Sequence, residues 1–327
     1  SPILKNNIPA FDSPMVKNLK RAGCIIIGKT NVPEFGVGSQ TFNPIYGATR
    51  NPIDISLTAG GSSGGAAAAV ASQMLPFADG SDMMGSLRNP AAFCSLFGFR
   101  PTPNLVPSEI SNDNLPKLSS LGGIAKTTKC LSYLLDAQIG NFNSKKSDKI
   151  ILSELLDTPL SKHEIRLGWL GSFNGAYRYE REIESLCIDY LQRLQSKGVI
   201  VDEVFPNFSA EKLWESWTNL RCKSIKLNLE EHYFNPKTQN HLKTEIIWEI
   251  EKCLSLRAVD FETSLDHRED WLTYLDLLFN TYDFLVLPST QVFPFSADVA
   301  YPSEIAGVKL DTYHRWMEVV VPASLAG

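Results

Sequence analysis

The chain has 327 residues, of which 43% are hydrophobic and 20% charged, the balance of a globular protein with a substantial core. Its net charge of −5 and the lack of clustered lysine and arginine argue against nucleic acid as a partner, because a phosphate backbone requires a basic surface. No apolar run approaches the length of a membrane span, so we expect no membrane partner either.

Six cysteines and five histidines are scattered along the chain without a Cys-x-x-Cys pair. We therefore expect free thiols in a reducing, cytoplasmic compartment, and neither a metal nor an organic cofactor. The chain opens on Ser1-Pro2 without an initiator methionine and stops at Ala326-Gly327, so we expect it to be incomplete at both ends. A signal peptide stays open for the same reason.

In the first part of the chain, Ser13-Pro14 predicts a helix start, and Gly23 predicts its end. Residues 24–27 read as a short buried strand. A helical run over 66–74 follows the glycine-rich segment 60–65.

Strands and helices alternate in the second part, which indicates an α/β architecture. The predicted elements are a strand at 165–170, a helix over 182–198, a strand at 199–201, a largely helical region over 209–280 and a buried strand at 283–288.

Residues 23–30 match the phosphate-binding pattern G-x-x-x-x-G-K-[ST]. Three consecutive isoleucines favour an extended strand over a flexible phosphate-wrapping turn. Pro33 also restricts the chain where a helix should follow Lys29. We therefore interpret Lys29 as an ordinary lysine at the end of an element and expect no nucleotide site.

Residues 60–64 also match G-x-S-x-G, the nucleophile elbow of α/β-hydrolases, with Ser62 as nucleophile. The preceding residues 54–58 make a weak strand for that role. The required histidine and acid would be His314 with Asp266 or Asp283, although nothing marks them specifically. This remains an alternative.

Residues 28–35, 60–69 and 80–101 together resemble successive blocks of the amidase signature family. The 24-residue separation of Ser62 and Ser86 agrees with that of the two catalytic serines of the family. The resemblance runs from Ser1 to about Pro107 and returns loosely over 283–327.

The resemblance implies an α/β fold with a mixed sheet covered by helices on both faces. It implies one amidase-like domain over 1–327, incomplete at both termini, with a signature core at 1–107. Region 209–280 would then be helical and shape the mouth of the substrate pocket.

The same resemblance implies hydrolysis of amide C–N bonds in a small-molecule substrate through an acyl-serine intermediate. Ser86 would attack the carbonyl, and Ser62, after a cis Gly61–Ser62 peptide bond, would pass protons. The oxyanion hole would consist of backbone N–H groups of Met83, Met84, Gly85 and Ser86.

Other residues would support this site. Asp82 and Arg88 would brace the loop, or else be surface or capping charges. Gly36 and Val37, at the start of 36–47, would help to line the substrate pocket. Cys94 reads as a small buried hydrophobic residue and not as a second nucleophile.

The chain departs from the family pattern in two ways. The lysine that serves as base in the family would lie before Ser1, so we expect this chain alone to be inactive. Met84 stands where the family usually has glycine, and it either alters the oxyanion hole or narrows the acyl pocket. An inactive relative and a member of an aminoacyl-tRNA amidotransferase complex remain alternatives, although residues 32–35 look more like stand-alone amidases. A homodimer stays open.

Overall fold

The computed structural model of the chain describes residues 1–109, 115–140, 151–156 and 164–327. The chain divides into two units, each with its own internal contacts. The first unit comprises Ser1–Leu160, Pro294–Ala300 and Gly327, and the second comprises Ser161–Phe293 and Tyr301–Ala326. The single domain expected over 1–327 stays a prediction.

The first unit begins with a helix whose start and end follow the sequence signals. The hydroxyl of Ser13 accepts a hydrogen bond from Val16 N, proline occupies the first turn, and the helix buries Met15 and Leu19. The helices of this unit are α1 (Pro14–Arg21), α2 (Gly64–Ala71), α3 (Arg88–Phe93), α4 (Thr128–Ile139) and α5 (Leu152–Leu155).

A three-stranded antiparallel sheet supports the first unit. The unit contains the short hairpin β1 (Phe42–Asn43) and β2 (Gly47–Ala48), and the sheet strands β3 (Phe77–Asp82), β4 (Phe97–Phe99) and β5 (Ser120–Ala125). The sheet order is β3-β5-β4, and Asp82 at the end of β3 pairs with Ser120. Helix α2 contributes Ala66, Ala67 and Val70 to the core cluster beside β3. The end of β3 therefore leads directly into residues 83–86.

The predicted buried strand at 24–27 is wrong. Residues 24–30 carry no strand assignment, and the side chains of Ile25 and Ile27 are 87% and 71% exposed. The β-branched side chains favour extended backbone, but a strand also needs a neighbour for its N–H and C=O groups, and none of the described residues pairs with this segment. A single 3₁₀ turn, Glu34–Gly36, follows, which agrees with the absence of a phosphate-binding loop.

The second unit contains a parallel three-stranded sheet in the order β7-β6-β8. Its strands are β6 (Arg166–Trp169), β7 (Ile200–Glu203) and β8 (Phe284–Val286), and α6 (Ile183–Gln195) connects β6 to β7. Leu167 and Trp169 of β6 pack against Leu191 of α6. Strand β8 occurs where predicted, but it is not fully buried, because Phe284 is 58% exposed at the sheet edge.

Long helices make up the middle of the second unit, as predicted for 209–280. They are α7 (Ala210–Phe234), α8 (Thr244–Ser255) and α9 (Ala258–Phe279). Trp217 and Trp271 are fully buried among them. A hairpin of β9 (Glu304–Ile305) and β10 (Val308–Lys309), a 3₁₀ segment (Arg315–Val320) and α10 (Val321–Ala326) complete the unit.

The predicted α/β class is confirmed, with the two strand directions divided between an antiparallel and a parallel sheet. The six cysteines are free thiols. In the described part of the chain, no helix combines the length and apolar character needed to cross a membrane.

Candidate active site

The glycine-rich segment places Ser62 in a crowded, buried turn. The Gly61–Ser62 peptide bond is cis, as predicted, and Ser62 is 5% exposed. The hydroxyl of Thr41 donates to Ser62 O at 3.1 Å and accepts from Gly64 N at 3.0 Å. A Cβ at Gly61 would lie 2.8 Å from the carbonyl carbon of Gln40, so only glycine fits there.

Ser63 joins the segment of Ser62 to the segment of Ser86. Its backbone N–H donates to Ser86 O at 3.2 Å. Its hydroxyl donates to Ser81 O at 3.2 Å and accepts from Ser81 N at 3.4 Å. No role was predicted for Ser63 from the sequence; the signal was its position beside Ser62, because a buried loop serine usually bonds backbone groups.

Asp82 is the electrostatic centre of the second segment. Its carboxylate is fully buried and accepts backbone N–H bonds from Gly85 at 2.8 Å, Leu87 at 3.1 Å and Arg88 at 3.4 Å. The Arg88 guanidinium adds a two-pronged contact, with Nε 3.0 Å from Oδ2 and Nη2 2.9 Å from Oδ1. The surface interpretation of Asp82 is therefore wrong, and both residues shape the loop.

Burial raises the pKa of Asp82, but the attraction and hydrogen bonds of Arg88, together with Arg100, outweigh it and hold the pKa below its ordinary value. The carboxylate therefore stays ionised at neutral pH. It balances two guanidinium groups and orders the N–H groups of the loop.

Arg100 is a further partner of Asp82, which was not predicted from the sequence. Its side chain is 6% exposed, with Nε 3.7 Å from Asp82 Oδ1, and Nη2 donates to Leu118 O at 3.1 Å. Burial lowers the pKa of Arg100 to about 10, against the opposing attraction of Asp82. The only sequence signal was an arginine inside the block 80–101.

The turn from Met83 to Ser86 has the backbone that its glycine requires. Gly85 has φ +82°, and a Cβ there would lie 2.7 Å from the buried Asn89 side chain, so glycine is needed for angle and for space. Met84 is 3% exposed and is not among the residues with positive φ. Backbone strain at Met84 is therefore excluded, and its effect on the acyl pocket stays a prediction.

The two predicted catalytic hydroxyls are available for chemistry. Ser86 is partly buried, and neither its hydroxyl nor that of Ser62 has a hydrogen-bond partner among the described residues. No lysine amine in those parts of the chain bonds to either hydroxyl. The arrangement therefore offers a nucleophile and a relay hydroxyl, while the base expected by resemblance is not among their contacts.

The other predicted residues take different positions. Gly36 ends the turn Glu34–Gly36 with φ +72°, and Val37 after it is 6% exposed; their role toward a substrate stays a prediction. Burial raises the pKa of the Cys94 thiol to about 12. Cys94 is therefore a poor nucleophile at neutral pH, which agrees with its interpretation as a buried apolar side chain.

The elbow alternative finds no support in its proposed partners. His314 is fully buried, and its Nδ1 lies 3.0 Å from the Thr312 hydroxyl and not beside an aspartate. Asp283 accepts from Arg166 N at 2.8 Å. Burial and the positive charge of Arg221 hold the pKa of His314 well below its ordinary value. Among the described residues no group of His, Cys, Asp and Glu could hold a metal ion.

Comparisons with known proteins agree with the geometry. The family model described as Amidase matches residues 1–327. An acylamidase of Rhodococcus erythropolis is 31% identical over 314 residues, which are 94% of this chain and 64% of that protein. One subunit of the glutamyl-tRNA(Gln) amidotransferase of Agathobacter rectalis is 36% identical over 206 residues, which are 62% of this chain and 41% of that protein.

A solved structure supports the fold. A bacterial aryl acylamidase of the amidase signature family superposes with a TM-score of 0.84 at 22% identity, covering 100% of this chain and 69% of that one. The chain thus spans between about two fifths and 70% of the length of these relatives. Because the family model spans the whole sequence, the chain belongs to the amidase family.

Proposed function

We propose that this chain carries the nucleophile and oxyanion-binding segments of a hydrolase of amide C–N bonds in small molecules. The observation that carries the proposal is the tie made by Ser63, which bonds its own N–H to Ser86 O and its hydroxyl to the peptide of Ser81. This tie holds Ser62 and Ser86 on adjoining backbone segments, as a proton relay between two hydroxyls requires.

In the proposed reaction Ser86 Oγ attacks the amide carbon and forms a C–O bond, while its proton passes to Ser62. The carbonyl oxygen takes up negative charge and accepts hydrogen bonds from backbone N–H groups of residues 83–86. The C–N bond then breaks as the leaving nitrogen receives a proton by way of Ser62. Water hydrolyses the acyl-Ser86 ester and releases the acid.

Asp82 is assigned a supporting role in this reaction. It does not exchange protons near neutral pH, because Arg88 and Arg100 hold its pKa low. Its three backbone hydrogen bonds instead fix N–H groups at and beyond the turn before the oxyanion develops, so that little reorganisation is needed in the transition state.

Ser86 also requires a base, because a serine hydroxyl is a weak nucleophile until its proton is removed. A lysine is the base that the family resemblance implies, and we propose that this chain by itself hydrolyses amides slowly or not at all. Free cysteines favour a cytoplasmic location.

A second candidate is the amidating component of an amidotransferase, favoured by the 36% identity to such a protein from Agathobacter rectalis. The two candidates share the serine chemistry and differ in partners. Copurification of further subunits at fixed stoichiometry would favour this candidate over a stand-alone amidase.

The test compares aryl amide hydrolysis by the product of the complete gene and by this 327-residue chain. Ser86→Ala should lower turnover by on the order of 10⁴-fold or more, because it removes the nucleophile. Ser62→Ala should slow turnover but leave acylation of Ser86, detected by mass spectrometry. Full activity of Ser86→Ala with acylation at Ser62 would instead support the elbow alternative. Family-like turnover by the 327-residue chain alone would show that the inactivity proposal is wrong.

A further inference from the structure

The second unit contains a cavity of about 340 Å³, which lies in the range of small-molecule sites. Its lining comes from the first two turns of α8 and from residues 301–313, which carry β9 and β10. None of Ser62, Ser86 and residues 83–85 lines it. The proposed amide hydrolysis therefore assigns it no role.

Three aromatic side chains form walls of the cavity. The Trp248 and Tyr313 rings lie 5.8 Å apart at 84°, and the Tyr301 and Tyr313 rings lie 6.2 Å apart at 61°. Neither pair is stacked, so the rings do not cover one another's faces. Such walls suit a planar aromatic guest, which gains from edge and face contacts beyond its buried area.

Tyr313 is held rigidly. Its hydroxyl donates to Glu249 Oε1 at 2.6 Å and accepts from Arg221 Nη2 at 3.0 Å. Its ring stacks on His314 at 4.3 Å with an interplanar angle of 8°. A wall that is already ordered costs a ligand little conformational entropy on binding.

The charges at the cavity cancel. Glu245 pairs with Lys243 at 3.1 Å, and Asp311 pairs with Arg315 at 3.0 Å. Burial raises the pKa of Tyr313 and lowers that of His314, so both rings are neutral at pH 7. The cavity therefore offers neither a free cation nor a free anion to a charged ligand.

Hydroxyl groups at the cavity supply polar contacts. Thr244 Oγ1 donates to Glu245 Oε2 at 3.1 Å and keeps its lone pairs as acceptors, while Ser303 offers a donor and an acceptor. This combination matches a carboxamide, which both donates and accepts hydrogen bonds.

We infer that the cavity binds a small uncharged aromatic carboxamide, with its ring against Trp248 and Tyr301 and its amide at Thr244 and Ser303. The binding requires only the aromatic walls and paired charges of the second unit. It does not depend on Ser86.

The test uses 4-fluorobenzamide and the Ser86→Ala variant, which removes turnover, with ¹⁹F NMR titration at pH 7. We expect saturable binding that weakens at least threefold for 4-fluorobenzamidine, because it is charged. Isothermal calorimetry should show benzamide binding more tightly than cyclohexanecarboxamide, which has a similar size but no aromatic face. Equal binding of the aromatic and saturated amides, or no saturable binding at all, would overturn the inference.

Variants locate the site. Tyr301→Ala should weaken binding roughly three- to tenfold, the range that aromatic pairs supply, and Tyr301→Phe should restore it. Ser303→Trp should block binding by filling the cavity. Tyr190→Ala, which removes a tyrosine 62% exposed on α6, is the matched control and should bind normally.

Circular dichroism should show that all of these variants are folded. Unchanged affinity in both Tyr301→Ala and Ser303→Trp would place the ligand elsewhere and overturn the inference. Turnover retained by Ser86→Ala would instead contradict the proposed function and leave this binding result intact.

Discussion

The two units each bury an arginine–carboxylate pair, but they use it differently. Asp82 in the first unit accepts three backbone N–H bonds besides its bond to Arg88. Glu249 in the second unit accepts from the Arg221 and Tyr313 side chains through Oε1, while Oε2 has no hydrogen-bond partner among the described residues. A carboxylate that bonds to backbone determines the path of a loop, whereas one that bonds to side chains ties helices together.

The largest effect should follow removal of Asp82. Asp82→Ala leaves Arg88 and Arg100 without their buried counter-charge and frees the loop N–H groups, which should lower the free energy of unfolding by about 3–5 kcal/mol. Chemical denaturation measures this, with the exposed Asp54→Asn as control. A loss no larger than that of the control would show that the loop does not depend on its carboxylate.

The same residue predicts an acid dependence. The pKa of Asp82 is lower in the folded chain than in the unfolded chain, so its stabilisation is present above the ordinary pKa and is lost as pH falls through the folded value. The wild-type chain should therefore lose more stability than Asp82→Ala on acidification below about pH 4.

The second prediction concerns Glu249. Glu249→Gln keeps the shape but removes the charge that faces Arg221, and we expect a loss of about 2–3 kcal/mol in the free energy of unfolding. Glu251→Gln, on the exposed side of α8, is the control. A loss that equals or exceeds that of Asp82→Ala would break the distinction between the two pairs.

Glu318 sharpens the comparison because it is buried with fewer donors. Arg315 Nη1 donates to it at 2.9 Å, and burial raises its pKa to about 7. A raised carboxyl pKa means that the folded chain binds the extra proton, so stability should fall as pH rises from about 5 to 7. Glu318→Gln should remove about 2 kcal/mol of this dependence.

Thermal and urea unfolding at several pH values would measure the Glu318 effect. The exposed Glu262→Gln on α9 serves as control. A wild-type profile as flat as that of Glu318→Gln between pH 5 and 7 would contradict the raised pKa.

The smallest effect should come from Ser63→Ala, which removes the hydroxyl bonds to Ser81 but keeps the backbone bond to Ser86. We expect a loss of about 1 kcal/mol in the free energy of unfolding. Ser185→Ala, which removes an exposed bond to Glu182 O on α6, should cost less. Equal losses would indicate that the tie between the serine segments is not made by this hydroxyl.

The sequence predicted the parts of the site that depend on local backbone. The glycines around Ser62 and Gly85 mark positions where a Cβ does not fit, and such requirements are written in the residue type itself. Helix α1 was also predictable, because Ser13-Pro14 and Gly23 are local signals.

What could not be predicted depends on distant partners. Arg100 reaches Asp82 across 18 residues, and Glu249 meets Tyr313 across 64. Nothing in the local sequence encodes such contacts. The strand predicted at 24–27 failed for the same reason, since β-branched composition specifies extended backbone but not a neighbour to pair with.

That unpaired segment has a practical consequence for work with the protein. Ile25, Ile26 and Ile27 present apolar side chains and open backbone groups to solvent, a combination that recruits strands from other molecules. Concentrated solutions should therefore form sheet-like aggregates that bind thioflavin. A single Ile26→Lys substitution would place a charge in the middle of this edge and should raise the concentration at which the protein stays in solution.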